Sequence, residues 1–166
     1  RRVARQEIAE DIPRIRTVVH AAFQRPDEAE LVDGLRRSRA LTLSAVAVIA
    51  RRIVGHVAFS PLTIGGQHSA LALAPLAVAP GCQRQGIGSA LVRWSLEQSR
   101  LLGHRVVIVV GAPAYYRRFG FVPAAQFGLE CPFAVAPEVF MALELSPGAA
   151  SGCRGLVHYQ PEFDAF

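Results

Sequence analysis

The chain has 166 residues with 18 basic and 13 acidic side chains, a net charge of +5, and every basic side chain is arginine. Half of it is apolar (51%) and 19% is charged, which excludes a disordered chain and fits one domain over residues 1–166 with a sizeable core. The uncharged runs 40–50 and 69–81 are too short to span a bilayer, and the arginines lie as singles and pairs without interleaved aromatics, which argues against membrane and nucleic-acid partners. After a short first strand, Glu10-Asp11-Ile12-Pro13 predicts a helix start with Asp11 as N-cap and a proline early in the first turn. Ile12, Ile15, Val18/Val19 and Ala22/Phe23 follow at helical spacing. Pro26-Asp27-Glu28 restarts the chain, and Ala29, Leu31/Val32 and Leu35 predict a second amphipathic helix ending at Arg36-Arg37.

Strand-rich runs at 41–50 and 53–64 predict a hairpin turning at Arg51-Arg52, with the next turn at Gly65-Gly66. A third run, 70–78, contains Pro75, which lacks a ladder N–H and predicts an edge, a bulge or local splaying. The glycine-bearing loop 80–86 then feeds a helix. Ile87, Leu91, Trp94 and Leu101/Leu102 form its apolar stripe, Arg93, Glu97 and Arg100 face water, and Gly103 stops it. The apolar run 105–110 suits a buried strand beside a parallel neighbour. Gly111-Ala-Pro113 opens a helix carrying Tyr115, Tyr116 and Phe119, and 140–145 and 156–159 read as late strands. The order β-α-α-β-β-β-α-β-α-β-β is that of a mixed α/β sheet.

The N-terminus runs from Arg1-Arg2-Val3-Ala4-Arg5 into Glu7, Glu10 and Asp11 with no apolar export segment. Cys82, Cys131 and Cys153 are widely spaced, without a Cys-x-x-Cys pair. That spacing suits neither a metal cluster nor a disulfide framework, so the expectation is a cytoplasmic protein without metal.

The chemistry concentrates at Leu76-Ala-Val-Ala-Pro80-Gly-Cys-Gln83-Arg84-Gln85-Gly86-Ile87-Gly88-Ser89, a strand, a glycine loop and a helix start. Such a junction gathers unpaired main-chain N–H groups at the positive end of the helix dipole, which favours phosphate. Glycine at 86 and 88 lets the main chain approach phosphate oxygens closely. A Walker-type loop needs lysine where Ile87 stands, and the chain has none. A dinucleotide fingerprint needs glycine where Leu91 stands and an acid about 20 residues on, but no Asp or Glu occurs between Glu97 and Glu130.

Gln83-x-x-Gly86-x-Gly88 instead resembles the acyl-CoA signature of the GNAT superfamily of N-acetyltransferases. Tyr115-Tyr116-Arg117-Arg118-Phe119-Gly120-Phe121 matches the second motif of that superfamily, Tyr-x-x-x-Gly-Phe. Ile53-Val-Gly-His56-Val-Ala-Phe59-Ser60-Pro61, Pro113-Ala-Tyr115-Tyr116 and Phe140-Met-Ala-Leu-Glu144-Leu145 look like the YhbS-like branch of predicted bacterial acetyltransferases. The resemblance implies a GNAT-type acyl-CoA N-acyltransferase fold. It also implies acetyl-CoA as cosubstrate and direct transfer of its acetyl group, in a ternary complex, to a primary amine of a small molecule or peptide.

On that resemblance, the main chain of Leu76, Ala77 and Val78 holds the pantetheine arm, and a backbone N–H at Leu76 or Val78 serves the oxyanion. Main-chain donors among Gln83, Arg84, Gln85, Gly86, Ile87, Gly88 and Ser89 cradle the pyrophosphate. Arg84 either adds a charge-assisted bond to phosphate or is a solvated arginine. Tyr116 is the implied general acid, while Tyr115 and Phe119 pack the arm or the core. No motif places the general base, and Glu138, His68, Glu130 and water stay open. The branch usually has an acid in its second strand, where this chain reads Ala45-Val-Ala-Val-Ile49, and Asp where Ala112 stands. A non-catalytic acyl-CoA-binding regulatory module is therefore the alternative. Many superfamily members pair, so a homodimer is also implied.

Overall fold

β1 (Arg2–Gln6) opens the computed structural model, which describes residues 2–166; Arg1, first of the N-terminal arginines, lies outside the described residues. The chain forms two compact units, one taking residues up to Ser60 together with Ala74–Gln98, the other Pro61–Leu73 together with Ser99–Phe166.

In the first unit, α1 (Ile12–Phe23) and α2 (Asp27–Arg37) precede β2 (Leu43–Ile49) and β3 (Arg52–Ile64). β2 pairs antiparallel with β1, from Arg2↔Ile49 to Gln6↔Ala45, and with β3, from Leu43↔Phe59 to Ile49↔Arg52. The β2–β3 turn falls on Ala50-Arg51, both left-handed at φ 49 and 65. A two-residue hairpin needs that geometry to match strand twist, so the turn sits one residue earlier than Arg51-Arg52. Ile15, Val18, Val19 and Ala29 pack with Val46, Ile53 and Ala77, the helical period meeting the strand period on one apolar layer.

Asp11 sits at the head of α1 but makes no side-chain cap there. A 3-10 turn, Ala9–Asp11, precedes the helix. Its geometry points the carboxylate back to the N–H of Ile8 (2.8 Å) and to Arg5 (2.7 and 3.1 Å). The hydrogen bonds from Arg5 hold the Asp11 carboxyl below the usual carboxylate range, against the opposing effect of burial. Asp11→Ala is expected to lower unfolding free energy by about 1 kcal/mol, read from urea titration, because the Ile8 main-chain N–H and the Arg5 guanidinium, both open to solvent, lose their acceptor.

The second unit takes the ends of β3 and of α3 (Ile87–Leu101), the first part of β4 (His68–Val78), and everything after Ser99. Its further elements are β5 (Val106–Val110), α4 (Pro113–Tyr116), β6 (Val122–Pro123), β7 (Leu129–Glu130), β8 (Phe140–Glu144) and β9 (Gly155–His158). Strands β3, β4, β5, β8 and β6 lie side by side in that order. β4 runs parallel to β5 at Leu71↔Val107 and Ala72↔Ile108, and β5 antiparallel to β8 from Val106↔Glu144 to Val110↔Phe140. β9 pairs antiparallel with β3 at Thr63↔His158 and Ile64↔Val157, and parallel with β7.

Val106–Val109 are all buried, as a strand with neighbours on both edges requires. β4 is not an edge strand. Its registered pairs with β5 lie before Pro75, which follows a cis Ala74–Pro75 bond. Leu101 and Leu102 depart from the predicted stripe: each is 64% exposed. The helix ends at Leu101, so the last turn no longer presents one continuous face. Among the described residues, no helix is long and apolar enough to cross a membrane, and no His/Cys/Asp/Glu group is placed to hold a metal ion.

Candidate functional site

In the first unit, β4 ends at Val78 and the chain turns through a 3-10 segment, Pro80–Cys82, into the exposed loop 83–86. Gln83 spends its side chain on the loop itself, donating from Nε2 to the carbonyl of Val78 at 3.1 Å. Arg84 and Gly86 are left-handed, at φ 62 and 80. Left-handed residues interrupting ordinary backbone turn N–H groups toward one side, the geometry of an anion-binding nest. Ile87 is buried and anchors the head of α3, Gly88 and Ser89 are half-buried, and the N–H of Ala90 is the donor to Gly86 O at 3.0 Å. The N–H groups before Ala90 are the ones a helix leaves without intrahelical partners.

Upstream, Leu76 and Val78 are half-buried while Ala77 is buried in the apolar layer of α1 and β2. Only the main chain of Ala77 is open to an arm-binding role, since its methyl serves the core. A Cβ added at Gly55 would lie 3.3 Å from the Ala77 carbonyl oxygen, so β3 approaches β4 closely there.

In the second unit, α4 and the following 3-10 turn, Arg117–Phe119, form an aromatic cluster. Tyr116 meets Tyr115 edge-on at 5.0 Å between ring centres and Phe121 edge-on at 5.6 Å, and Tyr115 meets Phe119 at 5.3 Å. The Arg118 guanidinium covers the Tyr115 ring at 4.3 Å and donates from Nε to the Tyr115 carbonyl at 3.3 Å. Tyr116 is 8% exposed, and burial, with a smaller push from Tyr115, raises its phenol above the ordinary value. It stays protonated throughout the neutral range.

The candidate bases are spread out. Glu138 is exposed in a 3-10 turn, Pro137–Val139. Val139 accepts the Gly111 N–H at 3.0 Å, which brings that turn to the segment carrying Tyr116. Glu130 is exposed in β7, paired with Leu156. His68 begins β4 three residues before Leu71, whose partner Val107 is four residues before Gly111. At about 3.3 Å per residue, His68 therefore stands some 23 Å along the strands from Gly111.

Residues 42–123 match the acetyltransferase (GNAT) domain. Over 164 residues, 98% of each chain, the sequence is 36% identical to the uncharacterized N-acetyltransferase YhbS of Escherichia coli K12. The chain belongs to the GNAT acetyltransferase family. A crystal structure of the E. coli GNAT protein YhbS in complex with CoA superposes with a TM-score of 0.96 at 36% identity, covering 100% of this chain and 93% of that one. A GNAT acetyltransferase from Brucella melitensis in complex with acetyl-CoA gives 0.83 at 37% identity, covering 99% of each. The GNAT-matched stretch holds both the loop before α3 and the aromatic cluster of α4.

One polar cluster in this GNAT chain escaped the reading of its sequence. Glu7 accepts from both Arg36 and the Ser44 hydroxyl. Because that hydroxyl hydrogen is committed to Glu7, the 2.7 Å contact of Ser44 Oγ with His56 must be a donation from Nε2. His56 is 0% exposed, and burial, with the Arg36 charge as a smaller cause, pushes it down to about 3. Its Nδ1 has no partner among the described residues. A histidine within the apolar run 53–64 was the available signal.

Proposed function

We propose that this chain transfers the acetyl group of acetyl-CoA to a primary amine of a small molecule or peptide within a ternary complex. The observation that carries the reading is the loop 83–86, with left-handed Arg84 and Gly86 ahead of the start of α3, whose first N–H groups have no partner within the helix. In this reading the pyrophosphate accepts from main-chain donors among residues 83–89. The pantetheine arm lies along the main chain of Leu76–Val78. The CoA and acetyl-CoA complexes of the two GNAT relatives support a ligand of this class.

The neutral amine nitrogen attacks the thioester carbonyl, the carbon–sulfur bond breaks, and the sulfur takes the proton of the Tyr116 hydroxyl. The excess proton on the amine passes to water or to Glu138, the carboxylate tied to the Tyr116 segment through Val139. Tyr115 and Phe121 hold the Tyr116 ring edge-on, and Phe119 packs on it at a tilt. Ala45, Val46 and Ala47 are buried and apolar, so β2 supplies no carboxylate there. That absence favours the alternative reading, an acyl-CoA-binding regulatory module without turnover.

Free thiol released from acetyl-CoA, followed across a panel of primary amines and peptides, separates the two. Amine-dependent release supports transfer, whereas acetyl-CoA binding without release supports the regulatory module. Gly86→Val tests the loop. A β-branched side chain is strained at φ 80, so acetyl-CoA affinity by calorimetry is expected to fall about ten-fold or more. An unchanged affinity would exclude this loop as the phosphate cradle.

A further inference from the structure

Gly111 links β5 to α4, and neither a turn nor a left-handed backbone requires glycine there. What requires it is the neighbouring ring. A Cβ built on Gly111 would stand 2.3 Å from Cε2, 2.8 Å from Cδ2 and 3.4 Å from Cζ of Tyr116, and these are its nearest neighbours. Such contacts lie inside van der Waals distance, so a methyl group at position 111 displaces either the main chain or the ring.

The main chain is held. Gly111 donates its N–H to Val139 at 3.0 Å, Val110 pairs with Phe140, and the N–H groups of Tyr115 and Tyr116 both donate to Ala112 at 3.1 Å. The ring is therefore the part that gives. Phe121, Tyr115 and Phe119 surround it at 5.6, 5.0 and 6.2 Å, so it has no free path sideways.

We propose that Gly111 is a positioning residue: its missing side chain lets the Tyr116 ring lie against the main chain and thereby sets where the phenol hydroxyl points during thiolate departure. This rests on the reading of Tyr116 as the general acid. Opening the 2.3 Å approach to ordinary contact moves the ring by about 1 Å, and a misplacement of that size costs up to about 10²-fold in rate.

The test is a double-mutant cycle on Gly111→Ala and Tyr116→Phe. It reads the rate constant of thiol release at saturating acetyl-CoA, with n-butylamine as acceptor and with water alone. Gly111→Ala is expected to lose about 10- to 100-fold, with acetyl-CoA affinity within about two-fold of wild type. Added to Tyr116→Phe, it is expected to lose no more than about two-fold further. A wild-type rate for Gly111→Ala, or the same loss in both backgrounds, overturns the proposal. If Tyr116→Phe alone keeps the wild-type rate, the acid reading fails and the proposal falls with it. If Tyr116→Phe is slow and Gly111→Ala is not, only the positioning role fails.

A second readout needs no turnover. In ultraviolet difference titration, with Tyr116→Phe isolating this phenol from Tyr115 and Tyr159, Gly111→Ala should bring its titration down toward that of a free tyrosine. An unmoved titration counts against the proposal. Should Gly111→Ala not fold, Gly111→Ala/Tyr116→Ala must regain a folded circular dichroism spectrum; its failure to do so overturns the steric argument.

Discussion

Tyr116→Phe is expected to slow thiol release from saturating acetyl-CoA by about 10²-fold while leaving acetyl-CoA affinity within about two-fold. The substitution removes one oxygen and keeps the ring that Tyr115, Phe119 and Phe121 pack against, so stability should change little. General acids contribute about 10²- to 10⁴-fold. The low end applies because a thiolate of pKa about 8.5 already leaves readily. Burial raises the Tyr116 phenol, making it a weaker acid than the thiol, so in the proposed step its proton would move only as the carbon–sulfur bond opens. The same shift fixes the alkaline side of the pH profile. An acid that must be protonated loses activity above its pKa, and here that limb lies beyond pH of about 10. Wild-type enzyme should therefore show no alkaline decline from this group at pH of about 9. A wild-type rate in Tyr116→Phe would remove the phenol from the mechanism.

The second large effect concerns stability. His56 is held neutral in the fold at about 3, whereas an unfolded histidine titrates near 6.5. The unfolded chain thus binds the extra proton between those values, and stability rises with pH across them. Its contribution is fully present above about pH 6.5 and is lost progressively as the pH falls toward 3, amounting to about 4 kcal/mol over the window. Carboxylates such as Asp11, held low by Arg5, add a dependence of the same sign at lower pH. Comparison with His56→Gln separates the two. Urea unfolding between pH of about 4 and 6.5 should show a shallower slope for the variant, and superimposable slopes would show that His56 takes no proton on unfolding.

The elements with strong periodicity were legible because one physical pattern dominated each. Ile15, Val18 and Val19 in α1 and Ala29, Leu31, Val32 and Leu35 in α2 recur at helical spacing, and all are buried. Where two local preferences compete, sequence pattern alone does not decide the outcome. Asp11 is a good N-cap by composition, yet Arg5 and the Ile8 N–H draw its carboxylate away from α1. Leu101 and Leu102 look like stripe residues but fall where the helix ends.

β6 and β7, two residues each, are too short for any period, and only their partners β8 and β9 define them. The left-handed backbone at Gly86 was legible because glycine reports backbone conformation directly, though the left-handed Arg84 was not, since arginine carries no such signal. Glu7, Arg36, Ser44 and His56 come from four separate segments, and no spacing in the chain announces that they meet.

In the proposed transfer, main-chain donors ahead of α3 bind the diphosphate of acetyl-CoA. Calorimetric titration of the wild-type chain with acetyl-CoA and with S-acetylpantetheine, which keeps the arm and thioester but lacks the nucleotide and pyrophosphate, tests it most directly. The prediction is that acetyl-CoA binds about 10²-fold more tightly, the yield of one or two charge-assisted hydrogen bonds. Equal affinity for the two, or no binding of acetyl-CoA, would contradict it.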